Sequence, residues 1–296
     1  MPESDGEGPP WYSRDPDGRI QRAIVPERLL RHRGLQERGI LPYYPIKPGV
    51  VFGTYDPDND DAPQYVIKIL DLSTQELPIY ERLLRNLDCP ANHTLPCEII
   101  RSDHPVLVMP MLSSIDASCI ALDGGTPLAP LFRAFHELVE GVEYLHALHI
   151  AHLDLCWGNV IMATPRMAAQ HKGVVAWGIY IIDYDTSRQL TRRPRRHPAI
   201  TLPDTQVEPP DGLTTFDPYS WDVYCLGRLL ERTMEMYYRK QERPHWLARW
   251  FVTWLIGTER GCTKVCRCRP TAATARRVLD ILGWIAPVFD TFSAKC

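Results

Sequence analysis

The chain has 296 residues, enough for one large domain or two small ones, and its 45% hydrophobic content can fill a buried core. The formal net charge is −3, and the one dense basic run, Arg192-Arg193-Pro194-Arg195-Arg196-His197, is short and reads as a solvated loop, so nucleic acid is excluded as a partner class. No apolar run approaches the ~18 residues of a membrane span, and the acidic, Pro- and Gly-rich start has no signal- or transit-peptide pattern; these features predict an intracellular protein, cytoplasmic or nuclear, with no membrane partner and mostly reduced cysteines.

In chain order, residues 1 to about 20 combine Pro, Gly and Asp with few aliphatics and are expected to be disordered. Residues 20–40 carry a short helical pattern interrupted by Pro26 and stopped by Gly39, consistent with an extension packed on the body. From residue 41 the texture turns strand-like, with Val50-Val51-Phe52, a turn over 56–61 and an alternating run at 65–70. A helix follows, opened by Ser73 and Glu76 as a capping box, with Leu77, Tyr80, Leu83, Leu84 and Leu87 at helical spacing. Two more strands are expected near 97–101 and 106–109. Beyond residue 112 helices dominate, over 128–149, 222–241, 244–257 and 271–283, with short β-like runs at 160–162 and 179–182. A β-rich front with one helix, followed by a helix-rich back, predicts an α+β protein with two lobes.

Two smaller features carry little. Cys262, Cys266 and Cys268 cluster but lack the fourth ligand of a closed zinc site and read as free thiols. Asn92-His93-Thr94 matches a glycosylation sequon that is idle without a secretory signal.

The chemistry-bearing stretch is 144–160, where a long helix delivers a loop of the form H-x-D-L-x-x-x-N from His152 to Asn159. Phosphoryl transfer needs a carboxylate to orient or receive the hydroxyl proton and a nearby amide oxygen to hold magnesium. Asp154 and Asn159, five residues apart, meet both needs. Asp183 ends the apolar run Ile181-Ile182, twenty-four residues after Asn159, and can supply a second oxygen to the metal. Val66-Ile67-Lys68 places an ammonium on a strand, where it can pair with phosphates. At 100° per residue, Glu76 shares the core side of its helix with Tyr80, Leu83 and Leu87 and Glu81 does not, so Glu76 is preferred over Glu81 as the helix acid that a resemblance to protein kinase-like domains implies beside Lys68. Glu76 is, however, only eight residues after Lys68, and the capping box alone would explain it. Each residue singly has an ordinary reading, as an edge lysine, a loop cap or a strand terminator. The ordered set does not.

In this order the motifs resemble those of a eukaryotic protein kinase-like domain. Val66-Ile67-Lys68 is similar to the V-A-I-K strand, His152-Leu153-Asp154 with Asn159 to the H-R-D catalytic loop, and Asp183-Tyr184-Asp185 to D-F-G. Asp222-Val223-Tyr224-Cys225-Leu226-Gly227 resembles the opening of the family's buried helix, Pro209-Pro210-Asp211 stands at A-P-E, and Arg269 suits that acid's partner. The run from Phe216 to Asp222 also resembles divergent kinase-like proteins of filamentous and mushroom-forming fungi. The resemblance spans roughly 41–285 and implies a two-lobed fold, with a small β-rich N-lobe (41–110) bearing one main helix and a larger helical C-lobe (111–285). An extension (1–40) and a tail (286–296) would flank it.

The same resemblance implies ATP and Mg2+ as cofactors, with Asp154, Lys68 and Asn159 catalytic and Asn159 and Asp183 on the metal. Lys68, Glu76, Gly49, Gly53, Met109 (the gatekeeper) and Met111 (in the hinge Pro110-Met111-Leu112) would contact nucleotide. A hydrophobic stack of Tyr80, Leu107, His152 and Tyr184 is implied, with Asp222 anchoring the backbone near His152. Four departures stand out. The glycine-rich loop is reduced to Gly49-Val50-Val51-Phe52-Gly53, Cys156 replaces a lysine, Asp185 replaces the glycine of D-F-G, and Leu153 replaces the arginine before Asp154. Two functions follow: a kinase that moves the γ-phosphate of ATP to a protein Ser or Thr, or a pseudokinase that binds a signalling partner with weak or no catalysis. A small-molecule phosphotransferase of related fold ranks last.

Overall fold

The computed structural model describes residues 8–55, 57, 59, 61–115, 128–210, 214–238, 243–257 and 269–293. Asp211, the thiols Cys262, Cys266 and Cys268, and parts of the 56–61 turn and of the helix expected to reach 241 lie outside the described residues. The fold is mixed α+β. The chain divides into two units, Met1–Leu84 with Leu95–Leu112 and Ala163–Ala176 in the first, and Arg85–Thr94 with Ser113–Met162 and Trp177–Cys296 in the second.

The first unit opens with β1 (Ser13–Arg14) paired to β2 (Ile20–Gln21), then two single turns, α1 (Glu27–Leu30) and α2 (Arg33–Gln36). Strands β3 (Pro42–Lys47), β4 (Val51–Thr54), β5 (Tyr65–Ile69), β6 (Glu98–Ile100) and β7 (Val106–Pro110) form an antiparallel sheet in the order β3-β4-β5-β7-β6. The two-residue period of the strands sorts their side chains. Phe52, Ile67, Ile69, Val106, Val108 and Ile100 share a face and build a core with Trp11, Val25, Leu29 and Leu35 from the extension. The register Val51↔Lys68↔Leu107 puts Lys68 on the opposite face. A one-residue slip would drive Lys68 into the apolar cluster, so burial fixes the register.

Residues 8–21, whose composition suggested disorder, are folded in the structure. Trp11 is 6% exposed, donates its backbone N–H to the carbonyl of Gly49 at 2.8 Å, and lies 4.0 Å beneath the Arg28 guanidinium. A compositional average does not register one aromatic side chain that inserts into a core. Pro26 opens α1 rather than interrupting it, because its carbonyl accepts from Leu29 and Leu30.

Helix α3 (Glu76–Leu84) buries Glu76, Ile79, Tyr80 and Leu83, while Leu87 lies beyond its end and is exposed. The expected capping box does not form. Thr74 Oγ1 accepts the Glu76 N–H at 3.3 Å, the Ser73 N–H goes to Asp71 Oδ1 at 2.8 Å, and the Glu76 carboxylate turns inward to Lys68.

The second unit contains β8 (Ser113–Ser114), the long helix α4 (Leu128–Ala147), β9 (Ile150–Ala151) and β10 (Val160–Met162). The chain then enters the first unit, where α5 (Pro165–Gln170) bonds Asp61 through Arg166 and Gln170. It returns through β11 (Ile179–Ile181), β12 (Arg188–Gln189), β13 (Ile200–Thr201) and β14 (Thr215–Phe216) to α6 (Pro218–Tyr237), α7 (Trp246–Ile256) and α8 (Ala272–Ser293). The expected tail from 286 is thus helical to Ser293. Leu131, Phe135, Leu138 and Val142 form the buried stripe of α4, which packs against α8 and α6. β10 pairs with β11 and β8, and β9 with β12, which brings the loop after α4 beside the strand that leads to Asp183. No helix among the described residues is long and apolar enough to cross a membrane.

If the extension is part of the core, Trp11→Ala should cost about 3–5 kcal/mol of unfolding free energy in denaturant titration. A loss below about 0.5 kcal/mol, the range of a surface change, would return residues 8–21 to a disordered arm.

Candidate active site

In the first unit, β5 and α3 bring together Lys68 and Glu76. Lys68 Nζ stands 2.6 Å from Glu76 Oε1, with the two side chains 6% and 0% exposed. Glu81, the alternative partner, pairs with Arg101. Met109 is buried on β7 with its sulfur 4.0 Å from the Tyr80 hydroxyl, and Leu107 is fully buried. Met111 donates its N–H to the Gln64 carbonyl at 2.9 Å, which extends the β5–β7 pairing into the segment expected to be a hinge. The two glycines expected near phosphate are covered by aromatic rings. Gly49 has φ +79°, and a Cβ there would meet Pro10 and Tyr12 at 2.8 Å. A Cβ on Gly53 would fall 2.5 Å from the Tyr44 ring, which lies across it from β3.

In the second unit the loop from His152 to Asn159 hangs on Asp222 of α6. Its carboxylate is fully buried and accepts from the N–H of His152 and of Leu153 at 2.8 Å each, and from His146 Nε2 at 2.9 Å. Leu153 has φ +69°, a left-handed conformation that costs a non-glycine residue roughly 1–3 kcal/mol. Its carbonyl is held by Trp221 Nε1 at 2.7 Å, so both sides of the strained residue are fixed. The aliphatic side chain at this position is fully buried.

His152 Nδ1 accepts the Asp154 N–H at 3.3 Å, so the ring proton sits on Nε2 and is donated to the Ile182 carbonyl at 3.0 Å. The His152 ring packs on Tyr184 with centroids 5.2 Å apart, and both residues are fully buried. Asn159 donates Nδ2 to the Asp154 carbonyl at 2.8 Å and to its Oδ2 at 3.2 Å, and the Asn159 carbonyl accepts the Ile182 N–H at 3.0 Å. Those bonds bring Asp154, Asn159 and Asp183 to one locus. Asp183 is itself left-handed, at φ +68°.

Asp154 is 7% exposed and makes a contact that its sequence neighbourhood did not announce. Gln206 donates its backbone N–H to Oδ1 at 2.7 Å and its side-chain amide to Oδ2 at 3.0 Å. No motif marks a glutamine fifty-two positions away. Burial pushes the Cys156 thiol above its ordinary pKa, aided by the nearby Asp154 charge, so the residue at the expected lysine position is a neutral thiol.

Among the described residues no group of three or more His, Cys, Asp or Glu side chains forms a metal cluster. The donors present suit a hard cation that keeps most of its water. With Nδ2 of Asn159 committed to Asp154, its Oδ1 and the Asp183 carboxylate are the oxygens that would hold magnesium, whose sites use one or two protein ligands completed by water and phosphate. No protein-family model and no curated protein sequence matches the chain.

Removing one partner of the buried ion pair leaves an uncompensated charge, which costs about 3–5 kcal/mol. Lys68→Met should therefore lower stability by that order in a denaturant melt, and adding Glu76→Leu should recover most of the loss. Additive losses in the double variant would mean that the two side chains do not act as a pair.

Proposed function

We propose that the chain is a protein kinase-like phosphotransferase that carries the γ-phosphate of ATP to a Ser or Thr hydroxyl of a protein. The observation that carries this reading is the convergence of Asp154, Asn159 and Asp183 through hydrogen bonds that Asp222 anchors. A five-stranded antiparallel sheet in the order first-second-third-fifth-fourth supports it, with a buried Lys–Glu pair linking the third strand to the following helix. In the two-lobed arrangement that the motifs imply, the first unit holds the N-lobe strands and the second the helical C-lobe.

Asp154 orients the acceptor hydroxyl and takes its proton as the new O–P bond forms. The bond between the γ-phosphorus and the β-bridging oxygen breaks, and its electron pair leaves on ADP. Lys68, held by Glu76, is the cation for the α- and β-phosphates. Asn159 and Asp183 would hold magnesium, which would supply charge neutralisation on the phosphates. Cys156 supplies no cation to the transferred group, so transition-state stabilisation is weaker than a lysine would give.

A pseudokinase is the second reading. The rings over Gly49 and Gly53 favour it, because they occupy space that a close backbone approach to phosphate would use.

Magnesium-ATP at millimolar concentration should raise the melting temperature, since a ligand of the folded state stabilises by mass action. Asp154→Asn should lower the transfer rate by about 10²–10⁴-fold with little change in ATP affinity. Asp183→Asn should also weaken magnesium-nucleotide binding. Cys156→Lys should raise the rate, roughly tenfold or more. Transfer that is indifferent to Asp154→Asn would remove the catalytic assignment, and absence of both thermal shift and transfer would favour the pseudokinase.

A further inference from the structure

Both oxygens of the Asp154 carboxylate are engaged by one residue of the chain itself. Gln206 reaches Oδ1 with its backbone N–H at 2.7 Å and Oδ2 with its side-chain amide at 3.0 Å, and Asn159 adds a third donor at 3.2 Å. A carboxylate offers about four lone-pair sites, so one is left. An acceptor hydroxyl has to lie within roughly 2.6–3.2 Å of its base, and the geometry that Gln206 occupies is the geometry such a group needs.

The contact is built and not incidental. Gln206 sits in the loop that joins β13 to β14, and these strands close its base through Ile200↔Phe216 and Thr201↔Thr215. The Thr205 hydroxyl donates to the Val207 carbonyl at 2.9 Å, which shapes the chain on either side of Gln206. Position 206 therefore offers Asp154 a main-chain N–H and a side-chain donor from the same residue.

We propose that Gln206 is an internal stand-in for the acceptor residue, and that the acceptor is a polypeptide that displaces residues 203–207 from Asp154. This inference rests on the phosphotransferase reading. A Ser or Thr within a peptide presents the same two donors, a main-chain N–H and a side-chain O–H. A sugar or a free amino alcohol lacks the amide. The carboxamide of glutamine can occupy the position but cannot react there, because its nitrogen lone pair is delocalised into the carbonyl. In turnover the substrate hydroxyl replaces it and gives its proton to Asp154, the O–P bond forms, and the phosphate leaves ATP with the bonding pair retained by ADP.

The test uses the full chain, ATP with magnesium, and a Ser/Thr-containing peptide pool. Because the stand-in competes with acceptor alone, Gln206→Ala should lower the KM for peptide by ~10-fold and leave the KM for ATP unchanged. Adding Asp154→Asn should abolish the gain. Hydrogen exchange supplies a readout apart from activity: the Gln206 amide should be protected in the wild-type chain and exposed in Asp154→Ala.

Wild-type transfer with an unchanged peptide KM in Gln206→Ala, or a fast-exchanging wild-type Gln206 amide, would overturn the inference and leave the phosphotransferase reading standing. Free serine phosphorylated as well as peptide would overturn the polypeptide assignment. No transfer by the wild type, by Gln206→Ala or by Gln206→Ala with Cys156→Lys would sink the phosphotransferase reading, and this inference with it.

Discussion

The buried carboxylate of Asp222 is the constraint on which the rest of the second unit's site depends. It satisfies two consecutive backbone N–H groups, those of His152 and Leu153, and one imidazole of α4. The Leu153 N–H bonded to Asp222 on one side and its carbonyl bonded to Trp221 Nε1 on the other hold Leu153 in a left-handed conformation it would not adopt alone. Asp154 is the next residue, so its direction follows from the strain upstream. From there the order spreads through His152 and Asn159 to the backbone of Ile182, and so to Asp183. A helix interior is a stiff support for such a chain of bonds, and α6 is buried along much of its length.

The first unit places its charge differently. Lys68 and Glu76 are nearly or wholly removed from water, and an ion pair in that position adds little stability over apolar residues of the same volume. Its neighbours on the same sheet face, Leu107 and Met109, show that an apolar solution was open. The cover on the other face of the sheet is equally particular. Trp11, Leu29 and Leu35 close an apolar surface that Phe52, Ile67 and Val108 would otherwise present to water, so the extension belongs to the unit's core. The same segment lays Pro10 and Tyr12 over Gly49, which ties the extension to the hairpin turn between β3 and β4.

The elements could be read from the sequence wherever the signal is local. The alternation at 65–69, the apolar run at 106–110 and the helical stripe of α4 each bury one face, and hydrophobic period reports that directly. The residues of the candidate site were also legible, because a carboxylate and an amide five apart in one loop, with a second carboxylate at a strand end, form a pattern along the chain. Tertiary structure decided what depends on encounters between distant segments. Glu76 satisfied two local patterns at once, a helix cap and a core-facing position. The cost of leaving Lys68 unpaired away from water decided between them, and Thr74 took over the cap. Trp11 lay in a segment whose average composition is that of a disordered tail, yet one ring anchors it. Gln206 carries no sequence signal because any donor-bearing residue could fill its place. Only the folded loop, closed by β13 and β14, brings its two N–H donors to the oxygens of Asp154.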